Sequence, residues 1–429
     1  MSYAQRVKKI LAQAKAYEGD EIELFKGEKS YKGILMPKHE FSAENVITLK
    51  LPNGYNIGIE VDRSTKIKVL SKKAEKLVAL KKLPSLQPQK PTISLISTGG
   101  TIASYVDYRT GAVKPALTAE ELAFAVPELS ELYNIRAKVL FSIFSEDMKT
   151  FHWKRLAQEV VKELELGCDA VLIPHGTDTM HYTSAALAFM LRNLSAPVIL
   201  VGSQRSSDRP SSDAVLNLFG AAKLATTDLG EVVVVMHGSK SDDRLLVHRG
   251  TKVRKSHTSA RDAFKSINCE PIAKIEGDEV TFLQEYTKRS SGKVEVNTKL
   301  EERVALIYFY PGMDKEYFEY VAKKNKGIVV VGTGLGHVSE DLLATIKKYS
   351  FKIPIVMTSQ CLEGRVNMNV YSRGRDLLGA NVIPAEDMLP EIAYIKLMVV
   401  LGKTKNLTKI KELMQTNFVG EISERSEVL

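Results

Sequence analysis

From Thr92 onward the chain repeats one pattern: an apolar run ending in small or polar residues, a loop, then a helical stretch. TISLIS, AVLIPHG, PVILVGS, EVVVVMHG, VALIYFYPG, GIVVVGTG and PIVMTSQ are runs of the first kind. Apolar at nearly every position, they are what strands covered on both faces require. FHWKRLAQEVVKELELG and SAALAFMLRNLS supply helical stretches between them. The pattern predicts an α/β fold built on a doubly wound parallel sheet, split near residue 290 by the polar stretch TKRSSGKVEVNTKLEE, with one domain over 92–290 and another over 300–425. Each run ends in Gly, Ser, Thr, Gln or His, so polar groups gather at the carboxyl edge, where ligands of such sheets bind.

The first ninety residues read differently. DEIELFKG, KSYKGILMPK and NVITLKL-PNG-YNIGIEV alternate polar with apolar positions, and Asn53-Gly54 supplies a hairpin turn. Four or five short strands in about fifty residues predict a small SH3-like β-barrel, with an amphipathic helix ahead of it, over residues 1–82. LPSLQPQKP, with three prolines and no periodicity, reads as a linker over 83–91.

Charge adds to this picture at the N-terminus. Of a net +9, an excess of eight sits in residues 1–90, where 18 Lys and Arg face 10 Asp and Glu. Arg63–Lys82 holds eight cations and one anion, which reads either as a solvated helix leading into the linker or as an electrostatic footprint for nucleic acid. No run approaches the ~20 uncharged apolar residues that span a membrane, and the N-terminus lacks the apolar core of a secretory signal. The three cysteines, Cys168, Cys269 and Cys361, are widely spaced without a CxxC pair, as expected of reduced thiols in the cytoplasm rather than a structural zinc site.

Candidate chemistry centres on two strand ends. In SLISTGGTIAS a strand runs into Gly99-Gly100, which is expected to let backbone approach a small ligand, and Thr101 follows as nucleophile, phosphate ligand or helix cap. A phosphate loop is disfavoured, because no lysine follows the glycines, and GKT at Gly402–Thr404 lacks the glycine five positions earlier. GTGLGH at Gly332–His337 comes near a dinucleotide fingerprint, but its third glycine is one place early. The second strand end, LIPHGTDTMHYTSAAL, delivers Thr177 and Asp178, and Asp178 by itself could merely cap the next helix. TKVRKSHTSARDAF supplies Lys255, which could reach a threonine hydroxyl.

TGGTIAS, HGTDTMHYTS and the KSHTS…DAF loop together, in this order, resemble the L-asparaginase/glutaminase family over residues 92–425. The resemblance implies that Thr101 attacks a side-chain amide, that Tyr108 of YRTGAVKP assists from a mobile loop, and that Thr177, Asp178 and Lys255 form a second group. Arg254 replaces Lys255 only if the loop register slips by one. The residue types suit amide hydrolysis, which needs a hydroxyl nucleophile, a proton acceptor and donors for the oxyanion. In FSIFSEDMKTFHW the resemblance places Ser145 against the substrate α-carboxylate and Asp178 against its ammonium. Glu146 stands where many relatives carry glutamine, which sets either a second anion beside the ammonium site or an ordinary solvated side chain. His152 and Trp153 fit the start of a helix, His175 a scaffold, and Arg205, Asp208 and Asp213 a rigidified loop. In relatives the site is completed by the C-terminal domain of a neighbouring protomer, so a homodimer through these domains is implied, with Gln360 and His337 as the matching candidates.

A barrel ahead of such a body resembles the family members that serve tRNA-dependent amidotransferases of the archaeal type. That implies a glutaminase component, acting in the conversion of Glu-tRNA(Gln) to Gln-tRNA(Gln). It would pass ammonia to a partner, the amidotransferase E subunit, which uses ATP and Mg2+ while this chain itself needs no cofactor, and tRNA(Gln) would be contacted mainly through the complex. The basic N-terminal region is suited to partner or phosphate contacts, and a lid carrying Tyr108 to gating. A stand-alone type I-like L-asparaginase, and a non-catalytic binding module on the same scaffold, are the alternatives.

Overall fold

In the computed structural model the described residues are 3–36, 38, 43–51, 56–72, 86–99, 104–107, 112–115, 127–205 and 212–425. Helix α1 (Gln5–Ala14) turns Val7, Ile10, Leu11 and Ala14 to one side, and these pack on a small antiparallel sheet. Its strands are β1 (Glu21–Lys26), β2 (Lys29–Leu35), β3 (Val46–Lys50), β4 (Asn56–Glu60) and β5 (Lys66–Ser71), in the order β4-β3-β2-β1-β5. That meander, with the last strand returning beside the first, is the order of an SH3-like barrel. Ile22, Leu24, Leu35, Ile47, Leu49 and Ile59 alternate into its core, as a period of two demands.

Of the basic stretch Arg63–Lys82, Lys66–Ser71 forms strand β5, in line with short strands to about Leu70. Ile67 and Val69 pack on the barrel core while Lys66, Lys68 and Leu70 lie more exposed, so the apolar positions recur every second residue. Residues 73–85 and the Asn53-Gly54 turn lie outside the described residues.

The first α/β domain is laid out as β6 (Thr92–Gly99), β7 (Asn134–Ile143), α2 (Thr150–Glu165), β8 (Ala170–Pro174), α3 (Met180–Met190), β9 (Val198–Val201), α4 (Ala214–Lys223), β10 (Val232–His237), β11 (Leu245–Arg249), β12 (Val253–Lys255), β13 (Phe264–Ser266), β14 (Ala273–Glu276) and β15 (Glu279–Phe282). Eight of these strands form one sheet in the order β15-β14-β11-β10-β9-β8-β6-β7. The five from β10 to β7 are parallel, but β11, β14 and β15 extend the sheet in antiparallel fashion. The sheet is therefore mixed rather than wholly parallel, because tight returns after β10 reverse the chain where no crossover helix intervenes. Among the described residues β12 and β13 pair only with each other, as a separate ribbon.

The second domain carries four parallel strands, β16 (Val304–Tyr308), β17 (Gly327–Gly332), β18 (Ile355–Ser359) and β19 (Ile383–Pro384), in sequential order. Helix α5 (Pro390–Lys403) leaves this sheet and packs against α3 of the first domain, so one apolar core spans both. Its buried face includes Ile392, Ile395, Val399 and Val400. The chain then ends beyond a last helix, α6 (Leu407–Gln415), in a tail that folds back onto α5 through Phe418 and Glu421. Among the described residues no helix is long and apolar enough to cross a membrane.

Candidate active site at the carboxyl edge of the sheet

β6 and β8 are adjacent and parallel, so their carboxyl ends bring the two threonine motifs to the same edge. Thr98, the residue before the glycine pair, ties them by donating from Oγ1 to the Pro174 carbonyl at 3.0 Å. Gly99 has φ +101°, a left-handed conformation, and a Cβ there would meet the Ile143 carbonyl oxygen at 2.5 Å. The close approach that this glycine permits within the fold is to the neighbouring strand β7. Gly100, Thr101 and Tyr108 lie outside the described residues.

Beyond β8 the chain passes through Gly176, where a Cβ would lie 2.7 Å from Ser145 Cβ. Glycine here lets the loop after β7 settle on the strand end, and Thr179 Oγ1 locks it by donating to the Ser145 carbonyl at 2.6 Å. Ser145 is consequently buried, while Glu146 beside it is exposed. The loop carrying the proposed α-carboxylate contact is held on the segment carrying Thr177 and Asp178.

Lys255 arrives from the end of the β12 ribbon. Its Nζ donates to Thr177 Oγ1 and to Asp178 Oδ1, both at 2.8 Å. Thr177 is 5% exposed and the lysine side chain 9%, whereas the Asp178 side chain is 69% exposed. The cluster is thus buried on its threonine side and open on its carboxylate side, a geometry suited to a small substrate whose ammonium meets Asp178. Arg254 points elsewhere, donating from Nη1 to both Glu391 carboxylate oxygens at 2.7 and 2.8 Å. The loop register therefore presents Lys255, and not Arg254, to Thr177.

The surrounding residues divide as scaffold. His152 Nδ1 accepts from the Lys149 amide at 2.9 Å, and Trp153 Nε1 donates to Thr183 Oγ1 at 3.0 Å, fixing the start of α2 on α3. Asp213 accepts the backbone amides of Gln204 and Arg205 and the Asn217 side-chain amide, so it does brace that loop. Asp208 lies outside the described residues. Gln360 donates to the Phe309 and Val331 carbonyls of its own domain, which commits its amide to the fold. His337 lies edge-on to Tyr371.

His175 and His181 flank the segment carrying Thr177 and Asp178, and His248 lies in β11. Burial pushes their imidazoles down to about 4, 3 and 3, with Arg254 adding to the effect on His181. All three are therefore neutral at pH 7. An unfolded chain binds protons at these positions below about pH 6.5 while the folded one does not. Stability is then complete above that pH and falls as pH drops towards 4, by up to about 1.4 kcal/mol per pH unit for each histidine. Urea midpoints measured between pH 7 and 4 are expected to fall along this course, with a shallower slope in His248→Asn; an unchanged slope in that variant would refute the assignment of His248.

Lys255 thus meets both Thr177 and Asp178 at the edge where β6 also ends. The "Asparaginase, N-terminal" family matches residues 92–288, and the "Glutaminase/Asparaginase C-terminal domain" family residues 303–414. The solved structure of the thermostable L-asparaginase from Thermococcus kodakarensis superposes with a TM-score of 0.72 at 33% identity, covering 78% of this chain and 100% of that one. Residues 16–70 match the "GatD N-terminal domain". The D subunit of glutamyl-tRNA(Gln) amidotransferase from Pyrococcus furiosus is 56% identical over 429 residues, 97% of this chain and 98% of that protein. Its counterpart from Methanothermobacter thermautotrophicus is 46% identical over 432 residues, 100% of this chain and 99% of that one. The chain belongs to this family, the D subunits of glutamyl-tRNA(Gln) amidotransferase.

Proposed function

We propose that this chain is the glutaminase component of a tRNA-dependent amidotransferase that converts Glu-tRNA(Gln) to Gln-tRNA(Gln). The observation that carries the reading is the Lys255–Thr177–Asp178 cluster at the edge to which the TGGT strand also runs, in a chain matching amidotransferase D subunits over nearly its full length. In this reading Thr101 attacks the glutamine side-chain carbonyl, with Tyr108 assisting. The new C–O bond gives a γ-glutamyl ester, and the C–N bond breaks as the nitrogen takes a proton and leaves as ammonia. Thr177, relayed through Lys255, aligns the water that cleaves the ester to glutamate and restores the hydroxyl. Asp178 holds the substrate ammonium and Ser145 its carboxylate, with Glu146 as an exposed second anion nearby.

The ammonia passes to the E subunit of the amidotransferase, which activates tRNA-bound glutamate with ATP and Mg2+, and the complex engages tRNA(Gln) in the cytoplasm. A homodimer through the asparaginase-like domains belongs to the same reading. Gln360 contributes there only as scaffold, since its amide is occupied within its own domain. A free-standing asparaginase leaves the barrel of residues 16–70 without a role.

The test is ammonia release from glutamine and from asparagine, by the purified chain alone and then with the E subunit and Glu-charged tRNA. Slow release alone and strong glutamine-dependent release in the full mixture are expected. Fast asparagine hydrolysis by the chain alone, unchanged by the additions, would refute the assignment.

A further inference from the structure

Glu391 is a carboxylate of the second domain that pairs with Arg254, the neighbour of Lys255 in the first. It lies in the first turn of α5, where the helix N-terminus favours negative charge, and its side chain is 2% exposed. Both of its oxygens accept from Arg254 Nη1, and Oε1 lies 3.7 Å from His181 Nε2. Arg254 immediately precedes Lys255, and His181 follows Asp178 by three residues. One buried carboxylate of the second domain thereby holds the segment carrying the lysine.

The ribbon that carries Lys255 needs such a link. Among the described residues β12 pairs with β13 alone and gains no register from the eight-stranded sheet. Two cations along this segment reach into the second domain instead: Lys252 Nζ meets Asp387 Oδ2 at 2.6 Å, with both side chains buried, and Arg254 meets Glu391. Successive side chains of a strand point to opposite faces. Holding Arg254 on one face therefore fixes the rotation of the strand and aims Lys255 from the other. A buried ion pair is a poor device for stability alone, because well-packed apolar residues commonly serve as well or better. What it supplies here is direction.

We infer that Glu391 is a positioning residue for the amide-hydrolysing site, acting through Arg254 on Lys255. The inference rests on the reading above, in which Lys255 and Thr177 serve the reaction.

The experiment compares Glu391→Gln, Lys255→Met and the double variant in the assembled complex, reading kcat and KM for glutamine. Glu391→Gln keeps the shape of the side chain and removes its charge. Its kcat is expected to fall about 10²-fold, the scale of a misplaced catalytic group, with KM changed less than about threefold. Added to Lys255→Met, it is expected to cost little more, since the group that it aims is already gone. Arg254→Gln probes the same link from its more exposed end, with the same loss expected, should Glu391→Gln fold poorly. Arg254→Lys, which keeps the charge, is expected to recover part of the rate. Wild-type kcat in both Glu391→Gln and Arg254→Gln would overturn the inference. So would an equal loss from Glu391→Gln on the wild-type and Lys255→Met backgrounds, which is the mark of a purely structural effect. Full activity in Lys255→Met overturns the site reading itself and the inference with it, so the two failures are distinguishable.

Discussion

Lys255→Met is expected to reduce glutamine-dependent ammonia release by about 10³-fold while leaving the fold intact. Among the described residues the lysine is the one in contact with both Thr177 and Asp178 at hydrogen-bond distance, so its loss unties the two and, in the mechanism proposed above, removes the proton relay. Groups that transfer protons in such a position contribute about 10² to 10⁴ in rate. The structural cost is expected to be smaller, because methionine keeps the buried stem of the lysine and Asp178, largely exposed, can be solvated when its partner is lost. Thr177→Val should give a loss of similar size, and combining the two should add little, as for residues acting in one step. Steady-state kinetics with a melting curve for each variant would check this. A Lys255→Met enzyme within tenfold of the parent would remove the lysine from the mechanism.

The second large effect concerns stability. Lys396 and Glu421 are both fully buried and pair at 2.7 Å. Lys396 Nζ also donates to the Met414 and Thr416 carbonyls and sits 4.8 Å above the Phe418 ring. Glu421 accepts the Phe418 and Val419 amides. Burial pulls the lysine below its usual value, against the opposing pull of Glu421. Lys396→Met leaves that carboxylate buried without its cation, which costs about 3–5 kcal/mol. Lys396→Met combined with Glu421→Gln removes both charges and should recover most of the loss. Urea unfolding at pH 7 would read both variants. A double variant no more stable than Lys396→Met would show that the cost comes from lost packing and not from the stranded charge.

The parts of the fold that are legible in sequence are those where burial acts on every residue. β8, β9 and β10 are buried throughout, so their apolar runs announce themselves. Asn134–Ile143 is an edge strand whose Arg136 and Lys138 pair with Glu163 and Glu159 of α2, and that mixture hides it from a search for apolar runs. β11, β14 and β15 are short and partly polar because they continue the sheet beyond its covered centre. The strand β5 is legible despite its cations, because Ile67 and Val69 carry the period of two.

At the site, Thr177, Asp178 and Lys255 are legible because their residue types and their motifs point to one chemistry. The close approach at Gly99 is not, since its partner, the Ile143 backbone, lies over forty residues away. Glu391 is hidden for a similar reason. It sits in an ordinary helix start, and its partners lie 137 residues earlier at Arg254 and 210 earlier at His181. No local pattern records an ion pair closed across that distance.

The two cations beside Lys255 also bear on how the protein is made. Asp387 and Glu391, which receive Lys252 and Arg254, are translated well over a hundred residues after them. On the ribosome, the ribbon carrying the lysine emerges long before the carboxylates that orient it. If Glu391 positions Lys255 as inferred, a nascent chain lacking the second half of the polypeptide is expected to hold the lysine without its final alignment and to release no ammonia.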